Sequence, residues 1–305
     1  MNRPLMLGLA LCALACLCAC GEEETAAGED VTDVRVPIPE EREGFLTYVT
    51  PEVRIESAED KLYCLHLDYD GPDIAVPELD VEQGNYGHHV VMLSTTDPKP
   101  HGTLEDCSDP KDMSKYRSLI LPETPLPENH AVQIKSGTHF VLQFHYVNAS
   151  PKPILVRDVA RLRLMDTAQV QTWVTTVTTN SLRLEVPARA EASEEYDCTL
   201  TEDVDLLVVG GHMHEQGTVM EIFVGPSADA LESIYYVDPW KPEYRDAPPV
   251  TLLFDNPVHL TAGSVIRTRC QWNSQLDEDT PFPHEMCSCF GYIAGTQTPL
   301  HCEAK

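Results

Sequence analysis

Basic residues are scarce in this chain of 305 residues, which has 21 Lys and Arg against 49 Asp and Glu and a formal net charge of -28 at pH 7. Proteins that bind nucleic acids need clustered Lys and Arg to neutralise phosphates. The charge balance therefore excludes nucleic acid as an expected partner. It indicates an acidic, solvated surface, and it would also steer a cationic substrate towards the protein.

Aromatic residues and helical periodicity are scarce as well. Aromatics make up 7% of the chain, although a hydrophobic content of 42% suffices for a globular core. No long stretch repeats apolar residues at helical spacing; residues 228–233 fit a helical turn or two. The 24 prolines favour short strands joined by loops, and hence β-sandwiches. We therefore expect an all-β protein.

Strand patterns recur along the chain. Residues 139–146 alternate, with three apolar residues, Phe140, Leu142 and Phe144, on one face. The other face has Val141, Gln143 and His145. Further strands are predicted at 170–177, 181–186, 206–209, 219–224 and 250–254.

A turn-rich stretch at residues 148–153 separates two strand-rich parts. We expect one domain at residues 32–150 and a second at 151–305, both of ordinary size.

The N-terminus has the features of an export signal. Arg3 precedes an apolar run, residues 5–17, that is too short to span a bilayer. The run ends in a motif that resembles the bacterial lipoprotein cleavage box, Leu17-Cys18-Ala19-Cys20-Gly21. We expect a signal peptide at residues 1–20, a lipid anchor at Cys20, an acidic tether at 21–31 and an extracytoplasmic, membrane-anchored location. A box ending at Cys16 and an ordinary cleaved signal are the alternatives.

An odd number of cysteines follows Cys20. They are Cys64, Cys107, Cys198, Cys270, Cys287, Cys289 and Cys302. Exported proteins normally pair cysteines as disulfides, so one of them should stay free. The sequence alone leaves the connectivity open.

Several of the 12 histidines are clustered. His212 and His214 are two apart, so on a strand both imidazoles project from one face and can reach one metal ion. His88 and His89 are adjacent and would point to opposite faces unless the backbone bends, which Gly87 permits.

Ligand softness narrows the choice of metal. Imidazole alone suits zinc, copper or nickel, whereas a thioether selects Cu(I). Met213, Met220 and Met286 are the candidate thioethers, and the pattern does not choose among them.

In their order and spacing, four motifs resemble the copper motifs of the ascorbate-dependent type II copper monooxygenases. That family includes the peptidylglycine α-hydroxylating and dopamine β-monooxygenases. The resemblance covers most of the mature chain, roughly Cys64 to Cys302. They are Gly87-His88-His89, Gln143-Phe144-His145-Tyr146, His212-Met213-His214 with Gly217, and Met286-Cys287.

The resemblance implies two copper ions per chain and two tandem jelly-roll-like β-sandwich domains with one copper site each. It implies that the N-terminal domain holds the electron-transfer copper with His88, His89 and His145. It implies that the C-terminal domain holds the oxygen-binding, catalytic copper with His212, His214 and Met286.

The implied activity is hydroxylation of a C–H bond of a small molecule with O₂ and a reductant such as ascorbate. Gln143 matches a family residue that lines the region between the metals. No obligate protein partner is evident. The resemblance also implies three disulfides and a free Cys289, with the pairs Cys64–Cys107, Cys270–Cys287 and Cys198–Cys302.

The sequence departs from the peptide-hydroxylating members at three positions. Gly210 stands where they have a substrate-binding Arg, and Ser288 and Phe290 stand where they have Asn and Tyr. Peptide amidation is therefore not expected. His284 competes with Met286 as a ligand. A copper carrier or store without turnover, and a structural lipoprotein with incidental histidines, are the alternative functions.

The lipid anchor generates the first testable prediction. Replacing Cys20 with Ser removes the thiol that carries the lipid, so we expect the protein to move from the membrane fraction to the soluble fraction. Fractionation followed by immunoblotting measures this, with Cys16→Ser as the matched control. Membrane attachment of Cys20→Ser together with release of Cys16→Ser would show that the anchor is at Cys16.

Overall fold

The computed structural model describes residues 30–122 and 124–304. The predicted signal peptide, the anchor at Cys20 and all but the end of the tether lie outside the described residues, and they stay predictions. Within the described ranges, no helix has the length and apolar character needed to cross a membrane.

The fold is all-β, as the sequence predicts. The described residues form 24 strands and three short 3₁₀ helices, without an α-helix. The strands are β1 (Thr32–Asp33), β2 (Phe45–Val49), β3 (Val53–Ile55), β4 (Asp60–Tyr69), β5 (Ile74–Glu82), β6 (Gly87–Thr95), β7 (Leu104–Asp106), β8 (Tyr116–Ile120), β9 (His130–Ile134), β10 (Thr138–Val147), β11 (Ile154–Val156), β12 (Val159–Met165), β13 (Thr172–Asn180), β14 (Glu185–Val186), β15 (Glu191–Thr199), β16 (Val204–His212), β17 (Gly217–Ser227), β18 (Ala230–Val237), β19 (Val250–Leu252), β20 (Val258–Leu260), β21 (Val265–Asn273), β22 (Thr280–Pro281), β23 (Ser288–Ala294) and β24 (Leu300–Glu303). The 3₁₀ helices are Pro110–Lys115, Thr167–Gln169 and Pro242–Arg245.

Three large sheets make up the body of the protein. A ten-stranded sheet has the order β19-β16-β23-β13-β9-β5-β12-β2, with β20 and β24 paired to β16 and β13. A five-stranded sheet has the order β7-β4-β10-β6-β8, and a four-stranded sheet has the order β15-β21-β17-β18. The ten-stranded sheet therefore contains strands from both halves of the sequence.

Two hydrophobic cores lie on this long sheet. In the first, Phe140, Leu142 and Phe144 of β10 pack with residues of β5, β12, β13 and β16. In the second, Trp272 of β21 and Ile222 of β17 pack with other residues of β13, β16 and β23. The alternation predicted for β10 is confirmed, because its three apolar residues share one core. Truncating a buried Phe of this kind costs about 3–5 kcal/mol.

The turn at residues 148–153 is tightly built around the buried Asn148, whose Nδ2 donates to the carbonyls of Ile55, Glu56 and Lys152. Beyond it, β11 pairs with β1 and β3, and β12 pairs with β2 and β5. The N-terminal strands are thus completed by strands that follow residue 150, and the chain from Val31 onward forms one compact unit. The division into two domains stays a prediction.

Two local expectations were wrong. Residues 228–233 do not form a helical turn, because β18 pairs with β17 and that pairing overrides local preference. In the segment 181–186, strand structure is confined to β14 at its end.

The disulfide connectivity implied by the resemblance is confirmed. The structure pairs Cys64 with Cys107, Cys198 with Cys302 and Cys270 with Cys287. Among the described residues Cys289 is the free cysteine, and burial raises its pKa to about 12. A thiol of that kind is unreactive.

A buried carboxylate, Asp158, with 0% of its surface exposed, contacts the first core through Tyr146. It accepts hydrogen bonds from the Tyr146 hydroxyl and, at 3.4 Å, from Gln83 Nε2, and its backbone N–H donates to Thr50 Oγ1 at 2.9 Å. Burial raises the pKa of Asp158 to about 6.

Asp158 generates a prediction on the pH dependence of stability. Its pKa is about 4 in an unfolded chain, so between pH 4 and pH 6 the folded state holds a proton that the unfolded state has lost. Its contribution to stability is therefore full below pH 4 and is lost as the pH rises through about 6. Asp158→Asn removes this titration. The free energy of unfolding of the variant, relative to that of the wild type, should therefore rise by up to about 3 kcal/mol between pH 4 and pH 7. Urea denaturation at both pH values measures this; a difference that does not change with pH would contradict it.

Candidate metal centre

Six histidines line one cavity of about 330 Å³. Five of them fall into two groups whose ligand nitrogens lie within 4.8 Å of one another and could hold a metal ion: a first triad, His88, His89 and His145, and a second triad, His88, His212 and His214. All six residues predicted as metal ligands line this cavity. The other lining residues are Asp60, Leu62, Ser108, Met113, Gln143, Val147, Glu215, Arg245, Pro281, Phe282, Pro283, His284 and, from the predicted set, Met286.

A β-bulge builds the first triad. On the paired strands β6 and β10, His89 lies opposite His145, but Gly87 lies opposite Tyr146, which leaves His88 as the extra residue. This is a bend of the kind that Gly87 permits. The ring centroids of His88 and His89 are 5.0 Å apart, and they lie 5.0 and 5.2 Å from that of His145. Adjacent histidines thereby reach one point.

The second triad lies where β16 ends. His212 is the last residue of that strand and pairs with Ser288 of β23. His214 follows beyond the strand end, which differs from the predicted pair on a single strand, yet the two ring centroids lie 5.1 Å apart. Their approach depends on contacts that hold the loop after β16.

His214 is held at three points. Its N–H donates to Glu285 Oε1 at 2.6 Å, its Nδ1–H donates to the His284 carbonyl at 3.0 Å, and its carbonyl accepts from Trp240 Nε1 at 3.1 Å. The Nδ1 hydrogen bond leaves the lone pair on Nε2. That atom is buried and has no hydrogen-bond partner among the described residues. A buried acceptor without a partner is costly, and a metal ion would satisfy it.

Glu285 joins the His214 loop to Met286. Its buried carboxylate also accepts the backbone N–H of Met286 at 3.0 Å and of Gln216 at 3.3 Å. Burial raises the pKa of Glu285, and these backbone donors oppose that rise. One carboxyl group therefore fixes the backbone of two residues that line the cavity.

Two further carboxylates orient rings of the first triad. His145 Nε2 donates to Asp60 Oδ1 at 2.5 Å, and His88 Nδ1 donates to Asp246 Oδ1. The hydrogen bond from His145 lowers the pKa of Asp60. Carboxylates in this position fix which nitrogen of a histidine is free and raise its basicity as a ligand.

Burial keeps His88, His89, His212 and His214 neutral. It lowers the pKa of His88 to about 4 and holds the pKa values of His89 and His212 well below their usual range. It also lowers the pKa of His214. Neutral imidazole is the form that binds a metal ion. The centre is therefore prepared for a cation at neutral pH.

Among the candidate thioethers, Met286 lines the cavity, whereas Met213 and Met220 are buried in the second core. His284 also lines the cavity, with 62% of its side chain exposed and Nδ1 at 3.8 Å from Asp60 Oδ2. Five clustered imidazoles with Met286 lining the same cavity are a donor set that fits copper.

Gly210 and Phe290, two of the positions that differ from the peptide-hydroxylating monooxygenases, lie against each other. The two residues are paired across β16 and β23, and a Cβ at position 210 would lie 2.6 Å from the Phe290 ring. A long side chain such as Arg at position 210 would displace that ring. In this protein, Phe290 therefore excludes an Arg at position 210.

Sequence reasoning missed Asp60, Asp246 and Glu285. Glu285 had one signal, its place beside Met286. Asp60 and Asp246 had none, because they are 85 and 158 residues away in sequence from the histidines that they orient.

Comparisons with known proteins add no family. No protein-family model and no curated protein matches the chain. Among solved structures, the VP2 subviral particle of infectious bursal disease virus is 7% identical, with a TM-score of 0.22 over 86% of this chain and 74% of that chain. The Gt strain of the same virus is 8% identical, with a TM-score of 0.21 over 86% and 75%. These TM-scores are too low to carry an argument.

Glu285 generates a prediction on metal affinity. Glu285→Gln replaces an acceptor oxygen by an NH₂ group that faces backbone donors, so the His214 loop should lose its fixed position. We expect copper to bind about 10–100-fold more weakly at the second triad. Glu221→Gln is the matched control, because Glu221 is a buried carboxylate paired with Arg269 outside the cavity. Titration against a copper chelator measures both variants; equal affinities would contradict this role for Glu285.

Proposed function

We propose that this protein is a copper-dependent monooxygenase that hydroxylates a C–H bond of a small substrate with O₂ and a one-electron reductant such as ascorbate. The observation that carries the proposal is the buried Nε2 of His214, which has no partner among the described residues and belongs to a cluster of five histidines. The motif resemblance supports copper as the metal and two ions per chain.

The residues divide the work as follows in this proposal. His88, His89 and His145 hold one ion, and His212, His214 and Met286 hold the other, where the thioether favours Cu(I). Bound copper would supply the one-electron transfers and the O₂ activation that C–H hydroxylation requires. The chain fixes the ligands through Asp60, Asp246 and Glu285, so they need little rearrangement when an ion binds.

The cavity favours an uncharged or cationic substrate. Leu62, Val147 and Phe282 contribute apolar surface to its walls. The one Arg or Lys among the described lining residues is Arg245, and it already pairs with Glu215 and with Asp246 at 2.9 Å. A substrate carboxylate would find no free cationic side chain there. This supports the expectation that peptide amidation is not the activity.

The proposed location is extracytoplasmic, on a bacterial membrane through a lipid on Cys20. Three disulfides in the described part of the chain support it, because disulfides persist in oxidising compartments. O₂ and small-molecule substrates are accessible in such a compartment.

Met286 generates the prediction that tests the proposal most specifically. Met286→Ile removes the thioether and leaves both imidazoles, so Cu(I) should bind more weakly at that site and hydroxylation should be lost. The His88, His89 and His145 site should still fill. Met165→Ile on β12, outside the cavity, is the matched control. Copper stoichiometry, CO binding to the reduced protein and ascorbate-dependent O₂ uptake with a substrate panel measure the effects.

The outcomes separate the candidate functions. Wild-type CO binding and turnover in Met286→Ile would show that Met286 is not a ligand, and His284 would be the next candidate. Two bound coppers in the wild type without O₂ uptake on any substrate would favour the carrier or store. Absence of bound copper in the wild type would exclude both the monooxygenase and the copper carrier, and it would favour a structural lipoprotein with incidental histidines.

A further inference from the structure

The two histidine triads overlap at His88. It belongs to the group with His89 and His145 and also to the group with His212 and His214. Its ring centroid lies 5.0 Å from that of His145, 5.6 Å from that of His214 and 6.4 Å from that of His212. His88 comes from the first half of the sequence, yet it is the third nitrogen of a site in the second half.

His88 has one nitrogen to offer. Its Nδ1 donates to Asp246, so the proton is on Nδ1 and the lone pair is on Nε2. One lone pair binds one ion. When both ions are present, they therefore compete for His88. The other histidine ligands are separate: His89 and His145 for one ion, and His212 and His214 for the other.

A series of polar contacts connects His88 to the loop that carries His214. Arg245, at the end of the 3₁₀ helix Pro242–Arg245, pairs with Asp246 at 2.9 Å and with Glu215. Glu215 directly follows His214 in the chain. The ring of His88 is thus tied through Asp246 and Arg245 to the backbone that carries the second triad.

We propose that His88 is an exchangeable third nitrogen ligand of the ion held by His212 and His214, and that Asp246 is the residue that positions it. The inference rests on the metal-binding part of the proposed function. It means that both ions occupy one cavity and that a single ligand can pass from one to the other. It requires no oxidation or reduction of the protein.

The experiment isolates the second triad. In His89→Ala/His145→Ala the first triad keeps only His88, so Cu(II) should bind at the second triad with three nitrogen ligands, from His88, His212 and His214. Adding His88→Ala should weaken Cu(II) binding at least about tenfold and remove one nitrogen from the pulsed EPR signal. Identical affinity and nitrogen count in the double and triple variants would overturn the proposal.

Asp246→Ala in the same double-variant background tests the positioning role. We expect weaker Cu(II) binding, because His88 is present but no longer held by Asp246. The EPR signal should show a mixture of Cu(II) with two nitrogen ligands and Cu(II) with three. Asp205→Ala is the control, since Asp205 makes the same type of pair with His259, at 2.8 Å, on the exposed surface. An unchanged EPR signal in Asp246→Ala would overturn this role.

Failure of the proposed function is recognised separately. If wild-type protein binds copper, and the double and triple variants have the same Cu(II) affinity and nitrogen count, then His88 is not a ligand of the second ion. The assignment of copper to the cavity is then retained. If wild-type protein binds no copper at the cavity, both proposals are wrong. Thermal unfolding of each variant shows whether a lost signal reflects lost folding.

Discussion

The convergence of five imidazoles on one cavity is the constraint on which the site depends. Burial lowers the pKa values of His88, His89, His212 and His214, so these four rings are neutral at pH 7. A neutral imidazole carries a lone pair, and the lone pair on His214 Nε2 is buried without a partner among the described residues, which is costly. A bound cation relieves that cost. The bulge at His88, the loop after β16 and the carboxylates behind the rings all serve this arrangement.

The scaffold brings the histidines together through sheet pairing. β6 and β10 belong to the five-stranded sheet, while β16 and β23 belong to the ten-stranded sheet that also contains N-terminal strands. Both sheets contribute to the first core, which fixes their mutual position. Carboxylates then set the fine geometry: Glu285 holds the His214 loop, and Asp246 holds His88. Long-range packing places the strands, and hydrogen bonds choose which nitrogen of each ring is free.

Much of this was accessible from the sequence. Alternation predicted β10 and placed His145 on the face opposite to Phe140, Leu142 and Phe144. Gly87 was recognised as permitting a bend through which His88 and His89 could converge. The all-β class followed from proline content and from the lack of helical periodicity. The orienting carboxylates were not predictable, because Asp60 and Asp246 contact histidines through tertiary structure and have no local pattern. The sharing of His88 between triads was missed for the same reason, and β18 shows that strand pairing overrides a weak helical signal.

The copper sites can be located in a crystal structure of copper-loaded protein, with anomalous diffraction recorded on both sides of the copper absorption edge. We expect two anomalous peaks inside the cavity. One should lie against His89 and His145 and the other against His212, His214 and Met286, with His88 bound to one of them. Copper peaks at surface histidines such as His259, with none in the cavity, would contradict the proposed metal centre.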